Sequence, residues 1–175
     1  MTIFKVKLLA IMLCLVGLLG GCDRPIAPSG DSIEIRRVVS GQTVEIVNFG
    51  KNAQTAQTVR LIGIDAPDLQ QQPWGMEAKQ ALEQLVGSQS VRWEFDIEKQ
   101  DGYGRWLAYL WVGNQLVNEQ LVASGYALAM PRSPNVKYQE TLQRAQESAR
   151  ISGRGIWNSD RPMRQTPAEF RRQNR

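Results

Sequence analysis

The sequence predicts a small α+β domain, a five-stranded barrel carrying three helices. Three observations lead there: alternating, β-rich runs between residues 33 and 64, a second pair of such runs between 90 and 112, and helical apolar spacings between and after them. With 175 residues, 42% of them hydrophobic and 22% charged, the chain supports one buried core rather than two.

Taken in order, Ile33 to Val39 and Thr43 to Phe49 flank a turn at Ser40-Gly41, which predicts a hairpin. Gly50 to Gln57 is a polar loop, expected to be mobile. Thr58 to Ile64 predicts a third strand that stops at Asp65-Ala66-Pro67, because proline has no donor for a sheet ladder. Pro73 is tolerated in a first helical turn, and Ala78, Ala81, Leu82, Leu85 and Val86 then recur at three and four until Gly87. Ser90 to Ile97 and Trp106 to Val112 predict a second hairpin around the loop Glu98 to Arg105. Leu116 to Ser124, stopped by Gly125, reads as a short helix with Val117, Leu121 and Val122 inward. Tyr138 to Ser152 reads as a longer one with Leu142, Ala145 and Ala149 inward. From Arg161 onward five arginines and two prolines predict a basic, poorly ordered tail. Five strands with a helix between the third and fourth match a barrel of the oligonucleotide/oligosaccharide-binding (OB) type, a fold that names no function by itself.

The first residues have a different character. Lys5 and Lys7 precede an unbroken apolar run from Leu8 to Leu19, of signal-peptide length and short for a membrane span. The run ends in Leu19-Gly20-Gly21-Cys22, which resembles the bacterial lipobox and implies a leader at 1–21, a lipidated Cys22 and a tether over 22–32. The expectation is an exported chain, lipid-anchored to the cell membrane or outer membrane, with a domain over 33–160 and the tail over 161–175. Loss of the leader removes Cys14 and leaves Cys22 as the sole cysteine, so no intramolecular disulfide can form. It also removes two lysines, so the formal charge of +4 falls to +2. Without a histidine anywhere, a histidine-based triad and a zinc site are excluded. Proton transfer and metal binding fall to carboxylates, arginines, tyrosines and backbone oxygens.

Three segments stand out as a set: Ser40-Gly41-Gln42-Thr43-Val44, Val59-Arg60-Leu61-Ile62-Gly63-Ile64-Asp65-Ala66-Pro67-Asp68, and Asp101-Gly102-Tyr103-Gly104-Arg105-Trp106-Leu107-Ala108-Tyr109. Singly, each is also what turns and ion pairs use. In this order, with Leu116-Val117-Asn118-Glu119 and Gly153-Arg154-Gly155-Ile156-Trp157, they resemble the staphylococcal nuclease (thermonuclease) family from about Arg37 to Asp160.

Hydrolysis of a phosphodiester needs a cation to polarise a phosphoryl oxygen, donors for the charge that grows on the equatorial oxygens, and a group that orients and deprotonates water. Arginine suits the donor role, since its planar fork matches two phosphate oxygens and keeps its charge. The resemblance implies Arg60 and Arg105 as those forks and Asp68 as the group that handles water. It implies Asp65, the backbone carbonyl of Ala66 and, more weakly, Gln42 as ligands of one calcium ion. Tyr103 and Leu107 would line the nucleotide. Two departures predict reduced activity: Gln42 stands where the family has a charged aspartate ligand, and Asp68 is one methylene shorter than the family's glutamate. The expected partners are DNA or RNA without sequence preference and, through Cys22, a membrane, with the protein a monomer. A barrel that binds nucleic acid without cleaving it, or an envelope scaffold, fits the same departures. Of the five tryptophans, Trp106 beside Arg105 is as reasonable a stacking platform as a core residue, and the others read as core or groove lining. The basic residues Arg150, Arg154, Arg161, Arg164, Arg171, Arg172 and Arg175 either steer a polyanion or form a solvated basic tail.

Overall fold

The computed structural model describes residues 30–47 and 56–174. The leader, Cys22, most of the tether, the end of the second predicted strand and most of the 50–57 loop lie outside the described residues. Among the described residues no helix is long and apolar enough to cross a membrane.

Strands β1 (Ser32–Ser40) and β2 (Thr43–Val47) form the predicted hairpin, and β3 (Gln57–Leu61) pairs antiparallel with β2. Two register shifts in β1, between Ile35 and Arg37 and between Val38 and Ser40, let the strand bend so that its start pairs with β5 (Val91–Glu94). Strand β6 (Trp106–Val112) pairs antiparallel with β5 and parallel with β3, with Arg60 opposite Leu107, and that last pairing closes the five strands into a barrel. The fold is therefore the α+β, OB-type barrel that the element order predicts. Inside it Val44, Ile46, Val59, Leu61, Val91, Trp93, Ala108 and Leu110 are buried, as period-two alternation requires of an inward face.

Helix α1 (Trp74–Val86) follows Pro73 and lays Ala78, Ala81, Leu82 and Val86 on the core. Helix α2 (Val117–Ala123) buries Val117, Leu121 and Val122, and α3 (Gln139–Ile151) buries Leu142, Ala145 and Ala149, the residues that the spacing selects. A two-residue strand, β7 (Gln115–Leu116), leads into α2. Gly41, in the β1–β2 turn, sits where an added Cβ would stand 2.5 Å from the Ala78 Cβ of α1 and 3.0 Å from that of Ala66. The turn is thus pressed against both the helix and the segment that carries Asp65.

Three features differ from the sequence expectation. The run predicted as one strand from Thr58 to Ile64 breaks at Gly63, whose φ of 77° turns the chain. Beyond it β4 (Ile64–Asp65) pairs with β8 (Leu128–Ala129) in a separate small sheet. Strand β5 stops at Glu94 rather than Ile97, because further on Glu98 exchanges hydrogen bonds with the Asn135 side chain, at 2.8 and 2.9 Å, and not with a strand. The tail expected to be poorly ordered is docked instead. Arg161 pairs with Glu77 at 2.8 Å, the Met163 N–H donates to the Ile156 carbonyl, and the Gln71 amide donates to the Gln165 carbonyl. A short helix, α4 (Pro167–Gln173), then forms behind a capping box in which Thr166 and Glu169 satisfy each other's backbone N–H groups.

Candidate functional site

The break at Gly63 is what makes a site out of the second motif. In an uninterrupted strand, residues 60 and 65 would point to opposite faces, since side chains alternate. The turn brings Asp65 round to the side of Arg60, so that Arg60 Nη2 lies 3.9 Å from Asp65 Oδ1 and donates to the Ile64 carbonyl at 2.8 Å. A second bond, from Nη1 to the Leu61 carbonyl, fixes the guanidinium further. Arg60 is pushed down to about 10 by burial; Asp65 opposes this, while Arg105, Arg171 and Arg132 add to it. It remains charged at neutral pH.

Arg105 arrives from the other side of the barrel seam, one residue before β6. Asp101 holds it: the Asp101 carboxylate accepts from Arg105 Nε at 2.7 Å and from the backbone N–H groups of Tyr103 and Arg105 at 3.0 Å. Burial works against the charge on Asp101, but the hydrogen bonds from Arg105 and Tyr103 outweigh it and keep its carboxyl below the ordinary value. The turn composition of the third motif therefore has a purpose that the sequence alone did not disclose, which is to orient an arginine.

Arg60, Asp65, Arg105 and Leu107 converge on one cleft of about 600 Å³, whose wall also includes Arg132 and Arg171. Gln42, Ala66, Asp68 and Tyr103 do not line it. The Gln42 Oε1 accepts the Ala66 N–H at 2.6 Å, bracing the segment behind Asp65. Asp68 Oδ1 accepts the Gln70 N–H at 3.0 Å within its own turn. Tyr103 is 88% exposed, with the Arg105 guanidinium 5.6 Å from its ring centre. Trp106, weighed as a stacking platform, packs edge-on against Trp93 and near Phe95, and its Nε1 donates to Gln57 Oε1 at 2.6 Å.

Arg171 was not singled out from the rest of the basic tail. Carried on α4, its Nη2 donates to both oxygens of Asp65 at 2.8 Å. The signal was present in Thr166-Pro167-Ala168-Glu169, where a capping residue, a proline at the first helical position and a glutamate at the third announce a helix start.

This arrangement decides how well a calcium ion fits. Calcium takes six to eight oxygens, several of them carboxylate. Here Asp65 is the one carboxylate among the expected ligands and both its oxygens are engaged by Arg171, while Gln42 Oε1 is engaged by Ala66. No group of three or more His, Cys, Asp or Glu side chains placed to hold a metal occurs among the described residues. The donor set as placed does not fit calcium. It fits an anion better, because the cleft wall carries Arg60, Arg105, Arg132 and Arg171 against Asp65, Glu98 and Asp101.

Comparison with known proteins agrees with the motifs. Residues 58–159 match the family model described as "Staphylococcal nuclease homologue". The chain is 37% identical over 131 residues to a thermonuclease of Staphylococcus hyicus, covering 72% of this chain and 75% of the relative. It is 36% identical over 133 residues to a thermonuclease of Staphylococcus intermedius, covering 73% and 77%. An endonuclease of Bacillus subtilis (strain 168) is 31% identical over 134 residues, covering 73% and 62%. With two arginines and an aspartate of the shared motifs gathered in one cleft of an OB-type barrel, the chain belongs to the staphylococcal nuclease family.

Proposed function

We propose that this chain is a nuclease that hydrolyses phosphodiester bonds of DNA and RNA with little sequence preference, in the cleft between β3, β4 and the loop before β6. The observation that carries the proposal is the convergence of Arg60, on β3, and Arg105, just before the β6 strand paired with it across the barrel seam, beside Asp65. Both guanidinium groups are fixed before substrate arrives, one by carbonyls and the other by Asp101. They are positioned to bind the non-bridging oxygens and to stabilise charge there as water attacks. Contacts confined to phosphate read no base, which accounts for the lack of sequence preference.

Asp68 is the group assigned to take the proton from water. Because it serves its own turn and stands off the cleft wall, turnover should be slow. Calcium dependence, which the family resemblance implies, forms no step of this chemistry, since the donors do not fit the ion. The test is release of acid-soluble nucleotides from single-stranded DNA and from RNA by the purified chain. Arg60→Ala and Arg105→Ala should each lower the rate by about a hundredfold or more. Cleavage that survives both substitutions would overturn the assignment, and salt-sensitive binding without cleavage would favour a barrel that has lost turnover.

Export and lipid attachment at Cys22 belong to the same proposal and rest on the lipobox-like sequence, as does a monomeric state on the single small domain. Cys22→Ser should abolish incorporation of radiolabelled fatty acid into the protein, and unchanged labelling would refute the anchor.

A further inference from the structure

We propose that Arg171 is the resident cation of the cleft: held on α4 against Asp65, it neutralises that carboxylate and offers a third guanidinium to a phosphodiester, so that nucleic acid is gripped without a divalent ion. The inference rests on the nucleic-acid reading of the cleft and adds to it a residue outside the matched segment 58–159.

The placement of Arg171 is built rather than incidental. Its helix starts at a capping box, and the chain leading to it is tied down at Glu77, Ile156 and Gln71. The anchored guanidinium reaches Asp65, which is 3% exposed and 106 residues away in sequence. The contact uses Nη2 alone, from a group with five N–H donors, and the side chain lines the cleft while remaining 34% exposed. Donors therefore remain to be directed at an anion entering the cleft.

Charge explains why such a residue is useful. A lone buried carboxylate on the wall would repel a phosphodiester. A dication would cure this, but it needs more anionic oxygen than Asp65 supplies. One guanidinium matches one carboxylate, and the pair is neutral. Arg60 and Arg132 then meet the phosphate with no opposing excess from Asp65.

The experiment measures binding of a fluorescent single-stranded oligodeoxynucleotide by the full-length chain, in detergent, in EDTA and across a calcium titration. The wild type should bind in EDTA with little gain from calcium. Arg171→Ala should weaken binding in EDTA on the order of tenfold or more, as expected for loss of a charge-assisted contact. Calcium should not restore the loss, because Asp65 alone supplies too little anionic oxygen to hold the ion. Arg171→Lys, which keeps the charge without the fork, should fall between the two and controls for folding.

Equal binding by wild type and Arg171→Ala in EDTA would overturn the proposal. So would tighter binding by Arg171→Ala, which would make α4 a plug rather than a contributor. If the wild type binds, Arg60→Ala does not and Arg171→Ala is unchanged, only this inference fails. If the wild type neither binds nor cleaves the oligonucleotide, the nucleic-acid reading itself fails.

Discussion

Arg60 shows how much of this site is a matter of one side chain's surroundings. A guanidinium in water keeps its proton to beyond pH 12, but burial and three neighbouring arginines pull this one down to about 10. If Arg60 grips phosphate as proposed, it does so in its charged form, so oligonucleotide affinity should be full below that pH and be lost as the pH climbs through it. Anisotropy titrations from pH 8 to 11 should show this fall, and an affinity that persists to pH 11 would mean that Arg60 does not contact the ligand. Asn118 has a quieter role. Fully buried in the Leu116-Val117-Asn118-Glu119 motif, it accepts the Leu110 N–H at 3.0 Å and donates to the Ile62 carbonyl at 2.8 Å, tying β6 to the turn that aims Asp65.

Among the elements, the β1–β2 turn depends most on a single atom being absent. Gly41→Ala would force its Cβ into Ala78 and Ala66 and push the turn off α1, at a cost of about 1–3 kcal/mol in urea unfolding. Because Gln42 braces the Ala66 N–H, oligonucleotide binding should weaken along with stability. A stability change below about 0.5 kcal/mol would show that the close approach relaxes freely. The same element scale marks the limits of reading the sequence. Helix faces were legible, since Ala78 and Leu82, Val117 and Leu121, and Leu142 and Ala145 are spaced at three or four and are buried. The division of the third strand at Gly63 was not, because Ile62 and Ile64 continue the β-rich pattern and only the backbone turn separates them. That Arg60, Asp65 and Arg105 come together in one cleft was legible in motif order, whereas Arg171 was hidden by the basic composition around it, which masked a helix start at Thr166. Asp101 was passed over because a turn-forming aspartate and an arginine holder look alike in one dimension.

At the scale of the whole molecule, a formal charge of only +4 over the full chain argues against a polycation that coats nucleic acid. Binding should instead reflect a few contacts concentrated in one cleft. If Arg60, Arg105 and Arg132 each neutralise a single-strand phosphate, the charge of Arg171 being balanced by Asp65, the logarithm of affinity should fall with the logarithm of salt at a slope of about −2. A slope several times steeper would place the binding surface on the wider basic exterior. The two principal arginines meet only because β3 and β6 run side by side in the same direction, a pairing between residues nearly fifty positions apart in the sequence. A polypeptide whose hairpins have formed but whose ring has not yet shut carries Arg60 and Arg105 on separate pieces and has no shared cleft between them. Such a nascent molecule would be inert toward any polynucleotide it met, so the hazard of making a nuclease is deferred until β3 and β6 have joined.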